Sequence, residues 1–249
     1  MEFPRASRIA SRLDVAAQSP STNAELRARA QDVVAWPHLS VLLTADQTAG
    51  RGRLDRGWVT PPGAALAISV VLRDLPGDPA LRGWLPLIAG AAMAEAVGDQ
   101  LPGRDVGVKW PNDVLVEGRK ICGILAEATT DAVIVGSGVN TAMTAEQLPV
   151  ATATSFAVEG VDVDADRLVA DYLGGLDALL TRLRAGADVR TAVIARCITL
   201  GQQVTVSLPG GDALRGEAVD LDEDGRLVVA VDGVRRAVSA GDVVHVRPV

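Results

Sequence analysis

Aromatic side chains are scarce: one Tyr, two Phe and four Trp, 3% of 249 residues. Any core must therefore be aliphatic, packed from Val, Leu, Ile and Ala, and at 48% apolar residues there is enough material for one. Cysteine is nearly absent. Cys122 and Cys197 have no metal-ligand spacing, and two in a chain this long form no disulfide framework. Reduced thiols and a cytoplasmic location are expected. Basic charge is short as well, with 24 Lys and Arg against 31 Asp and Glu and a formal net charge of -7. That balance argues against broad binding to DNA, RNA or an anionic membrane. No apolar run approaches the ~18 residues of a membrane span, and Met1–Arg8 lacks a signal-peptide stretch.

Residues 1–20 carry no clear pattern. A helix is predicted from Thr22, with Thr22 and Glu25 at capping-box spacing and Leu26, Ala30, Val33 and Val34 at helical intervals. Val41–Thr44 and Ala64–Leu72 read as buried strands, and Leu85–Val97 as a helix buried on most sides. Val106–Trp110, Val114–Val116 and Lys120–Glu127 read as strands, the last two flanking a turn at 117–119. Val133–Val135 leads into Gly136-Ser137-Gly138, a candidate strand-ending turn. Asp166–Leu183 is amphipathic, and a short helix is predicted over Arg190–Ile198. Beyond Leu200, five short strands end at Val243–Val246, separated by turns including Pro209-Gly210-Gly211 and Ala240-Gly241-Asp242, and suggest a small β-barrel. The expected class is α+β, a mixed or antiparallel sheet with helices over 1–198 and the small barrel over 199–249.

Four segments place polar residues or glycines where an aliphatic sheet has no use for them. Ser21-Thr22-Asn23 reads most simply as a helix cap. The loop Gln47–Gly57 holds three Gly and three Arg. Glycines let backbone N–H groups close on an anion, and arginines supply forks of donors for phosphate or carboxylate. Such a loop alone reads equally as a solvated basic loop, while an RNA-binding segment is disfavoured by the overall acidity and the single short copy. Lys109-Trp-Pro-Asn-Asp113 and Arg119-Lys120 put two lysines at strand ends, where a lysine either snorkels to the edge or neutralises an anion. Asn112 and Asp113 are suited to an Asx turn, and Cys122 to the core. Gly136-Ser-Gly-Val-Asn140 is the fourth.

The order of these motifs, Ser21-Thr-Asn, Gly50-Arg-Gly-Arg53 with Arg56 and Trp58, Lys109-Trp-Pro-Asn-Asp113, Arg119-Lys120 with Gly123, and Gly136-Ser-Gly-Val-Asn140, closely resembles that of biotin protein ligases. The resemblance implies a class II synthetase-like catalytic domain with an SH3-like C-terminal barrel. It implies a two-step reaction: biotin and Mg-ATP give biotinyl-5′-AMP, and a lysine of a biotin carboxyl carrier domain then attacks the acyl carbon. It makes Lys120, Arg53 and Lys109 catalytic. Ser21, Thr22, Asn23, Gln47, Gly50, Arg51, Gly52, Arg53, Lys120, Gly123 and Gly138 would hold biotin. Arg53, Arg56, Trp58, Lys109, Asn112, Lys120 and Asn140 would hold ATP, and Asp113 would bind Mg2+ or orient a lysine. Joining two anions fits this chemistry, since positioned cations offset their repulsion without a covalent enzyme nucleophile.

Two departures from the family pattern stand out: Asp55 where a glycine is usual in the arginine loop, and Pro20 stiffening the entry to Ser21. With only about 20 residues before Ser21, a monofunctional ligase without a DNA-binding domain is expected, as monomer or homodimer. The alternatives are a lipoate–protein ligase, whose adenylate chemistry is the same, and a non-catalytic biotin or nucleotide sensor.

Overall fold

The structure, a computed structural model, describes residues 1–53, 56–208, 212–239 and 241–245. The chain runs β1 (Arg12–Ala16), α1 (Thr22–Arg29), β2 (Ser40–Thr44), β3 (Gly50–Arg51), β4 (Gly57–Trp58), β5 (Ala65–Leu72), α2 (Trp84–Gly98), β6 (Val106–Lys109), β7 (Asp113–Val116), β8 (Arg119–Ala128), β9 (Val133–Asn140), α3 (Ala165–Arg184) and α4 (Arg190–Ile194). Then come β10 (Gln203–Ser207), β11 (Ala213–Leu221), β12 (Leu227–Val231), β13 (Val234–Val238) and β14 (Asp242–His245).

The first nine strands, less β3 and β4, form a seven-stranded sheet in the order β1-β2-β5-β9-β8-β7-β6. Only the β1–β2 pair is parallel. The aliphatic runs of β2 and β5 are buried on both faces. Their alternation sorts the two sides: Val41, Leu43, Val70 and Leu72 join the main core, while Leu42 and Val71 pack with Leu26 of α1, Trp36 and Ile134. The main-core face is covered by α2, whose Ala-rich surface buries twelve of its fifteen residues. Leu168, Leu173, Leu176 and Leu180 form the buried stripe of α3, which packs on α2. Each fully buried leucine contributes roughly 1.5–3 kcal/mol.

The C-terminal strands form a five-stranded antiparallel sheet, β13-β12-β11-β10-β14. Its core residues, among them Val204, Leu221 and Leu227, belong to the same buried cluster as the large sheet. Two tryptophans cross the seam: Trp84 Nε1 donates to Glu223 O (2.7 Å) and Trp110 Nε1 to Gly225 O (3.1 Å). Among the described residues no helix is long and apolar enough to cross a membrane.

The structure corrects several sequence expectations. Residues 12–16, read as patternless, pair with β2 as an edge strand. The cap of α1 is Ser21, whose Oγ accepts from Ala24 N; Thr22 turns instead to Gln47 and Ser69. α1 stops at Arg29 because the buried Arg73 guanidinium takes the carbonyls of Ala30 and Trp36 and folds the chain back, leaving Val33 and Val34 exposed. The arginine loop contains the short ribbon β3–β4. Gly136–Gly138 is no turn but the middle of β9. α4 ends at Ile194, short of Ile198. The 117–118 turn has φ of 49° and 73°, matching the predicted hairpin. Asp55, the Pro209-Gly210-Gly211 turn, Ala240 and Val246 lie outside the described residues.

Candidate active site

Strands β5, β7, β8 and β9, the β3–β4 ribbon and the start of α1 converge on a cavity of about 220 Å3. Its floor is β9. The faces of Gly136 and Gly138 turned toward the cavity are filled by neighbours: a Cβ on Gly136 would lie 2.4 Å from Asn23 Oδ1, and one on Gly138 2.8 Å from the Trp58 ring. Glycine here admits α1 and the ribbon to the sheet, so the strand continues where sequence suggested a break. Ser137, between them, points to the other face and meets the Tyr172 hydroxyl of α3 at 3.0 Å.

One wall is the start of α1 with Gln47. Thr22 N–H donates to Gln47 Oε1 (2.8 Å), and the Thr22 hydroxyl lies 3.0 Å from the same oxygen. Asn23 Nδ2 donates to Glu127 Oε2 (2.9 Å), and Ser69 Oγ donates to Asn23 Oδ1 (2.6 Å). These amides are thus fixed in orientation before any ligand arrives. Gly50 does not line the cavity. A Cβ there would strike Gln47 Nε2 at 2.3 Å, so its missing side chain lets the ribbon dock on Gln47.

The opposite wall is β7–β8. The register of this pair shifts between Val114 and Leu115: Val114 faces Cys122, whereas Leu115 faces Lys120. Ile121 is therefore an extra residue, a bulge. It puts Lys120 and Gly123 on the cavity side together, while Ile121 and Cys122 both enter the core. Lys120 Nζ pairs with Asp113 Oδ1 at 2.6 Å. Burial pushes the Cys122 thiol well above its ordinary pKa, so it is core and not a nucleophile.

Over the top lies the arginine loop. Arg51, Arg53 and Arg56 all line the cavity with Lys120, and among the described lining residues Asp113 supplies the single carboxylate. Arg53 Nη1 donates to Asn112 Oδ1 (2.9 Å) and Nη2 to the O of Gly241, just before β14 (3.3 Å).

Of the expected site residues, Ser21, Thr22, Asn23, Gln47, Arg51, Gly52, Arg53, Arg56, Trp58, Asn112, Asp113, Lys120, Gly123 and Gly138 share this one cavity. Lys109 and Asn140 do not line it. Lys109 lies near His245, whose pKa is lowered by burial and then by this lysine. Asn140 is buried and donates to Thr154 O (2.9 Å). Sequence reasoning missed Ala67, Ile124 and Leu125 in the lining, and Ser69 and Glu127 behind it. Apolar linings have no signature of their own, but Ser69 in the run Ala-Ile-Ser-Val-Val was a visible polar break.

The sequence matches the family model of the biotin/lipoate A/B protein ligase family over residues 15–140, and the biotin protein ligase C terminal domain over 199–246. It is 41% identical over 239 residues to the biotin--[acetyl-CoA-carboxylase] ligase of Mycobacterium tuberculosis, covering 94% of this chain and 89% of that one. The chain belongs to the biotin/lipoate A/B protein ligase family. Among solved ligases, that of Leishmania major in complex with biotinyl-5-AMP superposes with a TM-score of 0.63 at 26% identity, over 92% of this chain and 99% of that one. The Aquifex aeolicus biotin protein ligase in complex with biotin and ATP shares the fold, with a TM-score of 0.78 at 24% identity over 96% and 100%. The α+β sheet and the antiparallel C-terminal unit are those of biotin protein ligases.

Proposed function

We propose that this ligase activates biotin as biotinyl-5′-AMP with ATP and transfers it to a lysine of a biotin carboxyl carrier domain. The observation carrying this reading is the gathering of three arginines and one lysine, from loop and strand, around a single cavity with fixed amide groups at its far wall. The roles follow from position. Ser21, Thr22, Asn23, Gln47 and Gly138, with the backbone at Gly52 and Gly123, enclose the uncharged bicyclic end of biotin. Its carboxylate then meets Lys120 and Arg51. Arg53, Arg56, Trp58 and Asn112 close over the nucleotide, and water kept out by this loop cannot hydrolyse the mixed anhydride. Lys120 stabilises the charge that develops between the carboxylate and α-phosphate. We assign Lys109 and Asn140 supporting places, beside the triphosphate and behind the nucleotide. Gly50 seats the ribbon.

Among the described residues no three His, Cys, Asp or Glu side chains gather to hold a metal. Mg2+ is therefore read as part of the ATP substrate, carried on its phosphates, and Asp113 as the group that orients Lys120. The reading divides the chain into a catalytic unit, 1–198, and a C-terminal unit, 199–249, and places it in the cytoplasm, where ATP and free thiols coexist. A lipoate ligase is less well supported, because the matched C-terminal domain is that of biotin ligases.

Incubation with biotin, Mg-ATP and a carrier domain, followed by intact mass, tests the proposal. One biotinyl group is expected on the carrier, none with lipoate in place of biotin. Lys120→Ala is expected to slow pyrophosphate release by about 10²–10³-fold. Unchanged adenylate formation in that variant would remove Lys120 from the mechanism.

A further inference from the structure

Glu159 is the most deeply buried carboxylate among the described residues, its side chain 2% exposed. Its Oε1 takes a salt bridge from Arg119 Nη2 (2.6 Å) and a hydrogen bond from the Thr154 hydroxyl (2.6 Å), while Arg104 Nε lies 3.6 Å from Oε2. A charge withdrawn this far from water needs several partners, and three converge on it.

What Thr154 holds gives the arrangement its meaning. Thr154 N–H donates to Lys120 O (2.8 Å), and Lys120 N–H donates to Thr152 O (2.8 Å). Thr154 O accepts from Asn140 Nδ2 (2.9 Å). One short strap, 152–154, thus pairs with the backbone of Lys120 at the bulged strand and also fixes the Asn140 amide. Arg119, the partner of Glu159, is the residue before Lys120. Beyond the bulge β9 pairs with β8 only from Cys122 onward, so on that side of Lys120 the strap takes the place of the neighbouring strand and sets its backbone.

We propose that Glu159 is a positioning residue for adenylation. By clamping Thr154 and Arg119 it fixes the backbone of Lys120 and the amide of Asn140, without itself touching the substrates. This rests on the reading of Lys120 and Asn140 given above.

The test uses the full chain. Pyrophosphate release is measured against biotin and ATP concentration, with melting temperature recorded for each variant. Glu159→Gln keeps shape but removes the charge. Thr154→Val removes only the hydroxyl, and Thr154→Ser restores it. A misplaced reacting group costs up to about a hundredfold. Glu159→Gln and Thr154→Val are expected to lose about tenfold to a hundredfold in kcat per folded molecule, with little change in KM for biotin. Thr154→Ser is expected to stay near wild type. A merely structural role lowers melting temperature but leaves kcat per folded molecule intact, and that result overturns the proposal. So does an equal loss in Thr154→Ser. A wild-type chain releasing no pyrophosphate overturns the functional reading and this proposal together; an active wild type beside unaffected variants overturns this proposal alone.

Discussion

At the scale of single residues, the cavity is shaped by side chains that are absent. Gly136 faces Asn23 so closely that a methyl group would meet Oδ1 at 2.4 Å and Cγ at 2.8 Å. Asn23 has no freedom to retreat, because Ser69, Glu127 and Leu125 O all hold its amide. Gly136→Ala is therefore expected to displace Asn23 and weaken biotin binding by about tenfold or more, overpacking of this kind costing about 1–3 kcal/mol. Calorimetric titration with biotin reads the effect. Gly77→Ala, where a Cβ meets nothing within 4 Å, serves as the control expected to bind like wild type. Here the sequence was only half legible. It marked Gly136–Gly138 as unusual, yet a glycine that ends a strand and one that admits a neighbour look alike until the neighbour is seen. The roles of Ser69 and Glu159 were hidden for another reason: they act through partners 46 and 40 residues away in the chain.

At the scale of elements, strong periodicity carried over and weak periodicity did not. The aliphatic strands and the stripe of α3 follow the pattern of the sequence closely. β1 went unread because its alternation of Arg12, Leu13, Asp14 and Val15 spans only a few residues and none of them is fully buried, a composition that an edge strand tolerates. α1 was overextended because its register of apolar residues continues past Arg29, whereas the Ala30 carbonyl, which would accept from Val34 in a longer helix, is taken by Arg73, far along the chain. The ends of α3 invite a test. Asp164 caps its N-terminus, accepting from Arg167 N (3.0 Å), and that bond, followed by the interaction with Arg5, holds the carboxyl below the ordinary Asp value of 3.8. A depressed folded-state pKa means that the contribution is present above the unfolded value and lost as pH falls through the folded one. Asp164→Ala is expected to melt about 2–4 °C below wild type near neutrality. The gap should close in thermal scans taken below pH 3.8; a gap constant with pH would mean that the carboxylate charge plays no part.

At the scale of the whole molecule, the two sheets share one apolar interior. Trp84 and Trp110 reach across the seam, and Arg53 ties the arginine loop to Gly241 on the far side. A fragment ending at residue 198 would expose that interior, so it is expected to aggregate or stay unfolded; a monomeric, cooperatively melting fragment on size exclusion and circular dichroism would show the units to be independent. The largest consequence belongs to the smallest irregularity. A strand is a two-valued counter, each residue assigned to one side or the other by whether its place is odd or even. Ile121 adds one to the count. Pair it in turn like its neighbours, with the same sequence and no bulge, and the amine of Lys120 is turned inward among aliphatic groups. On the role proposed for Lys120, parity separates a catalyst from a merely folded chain.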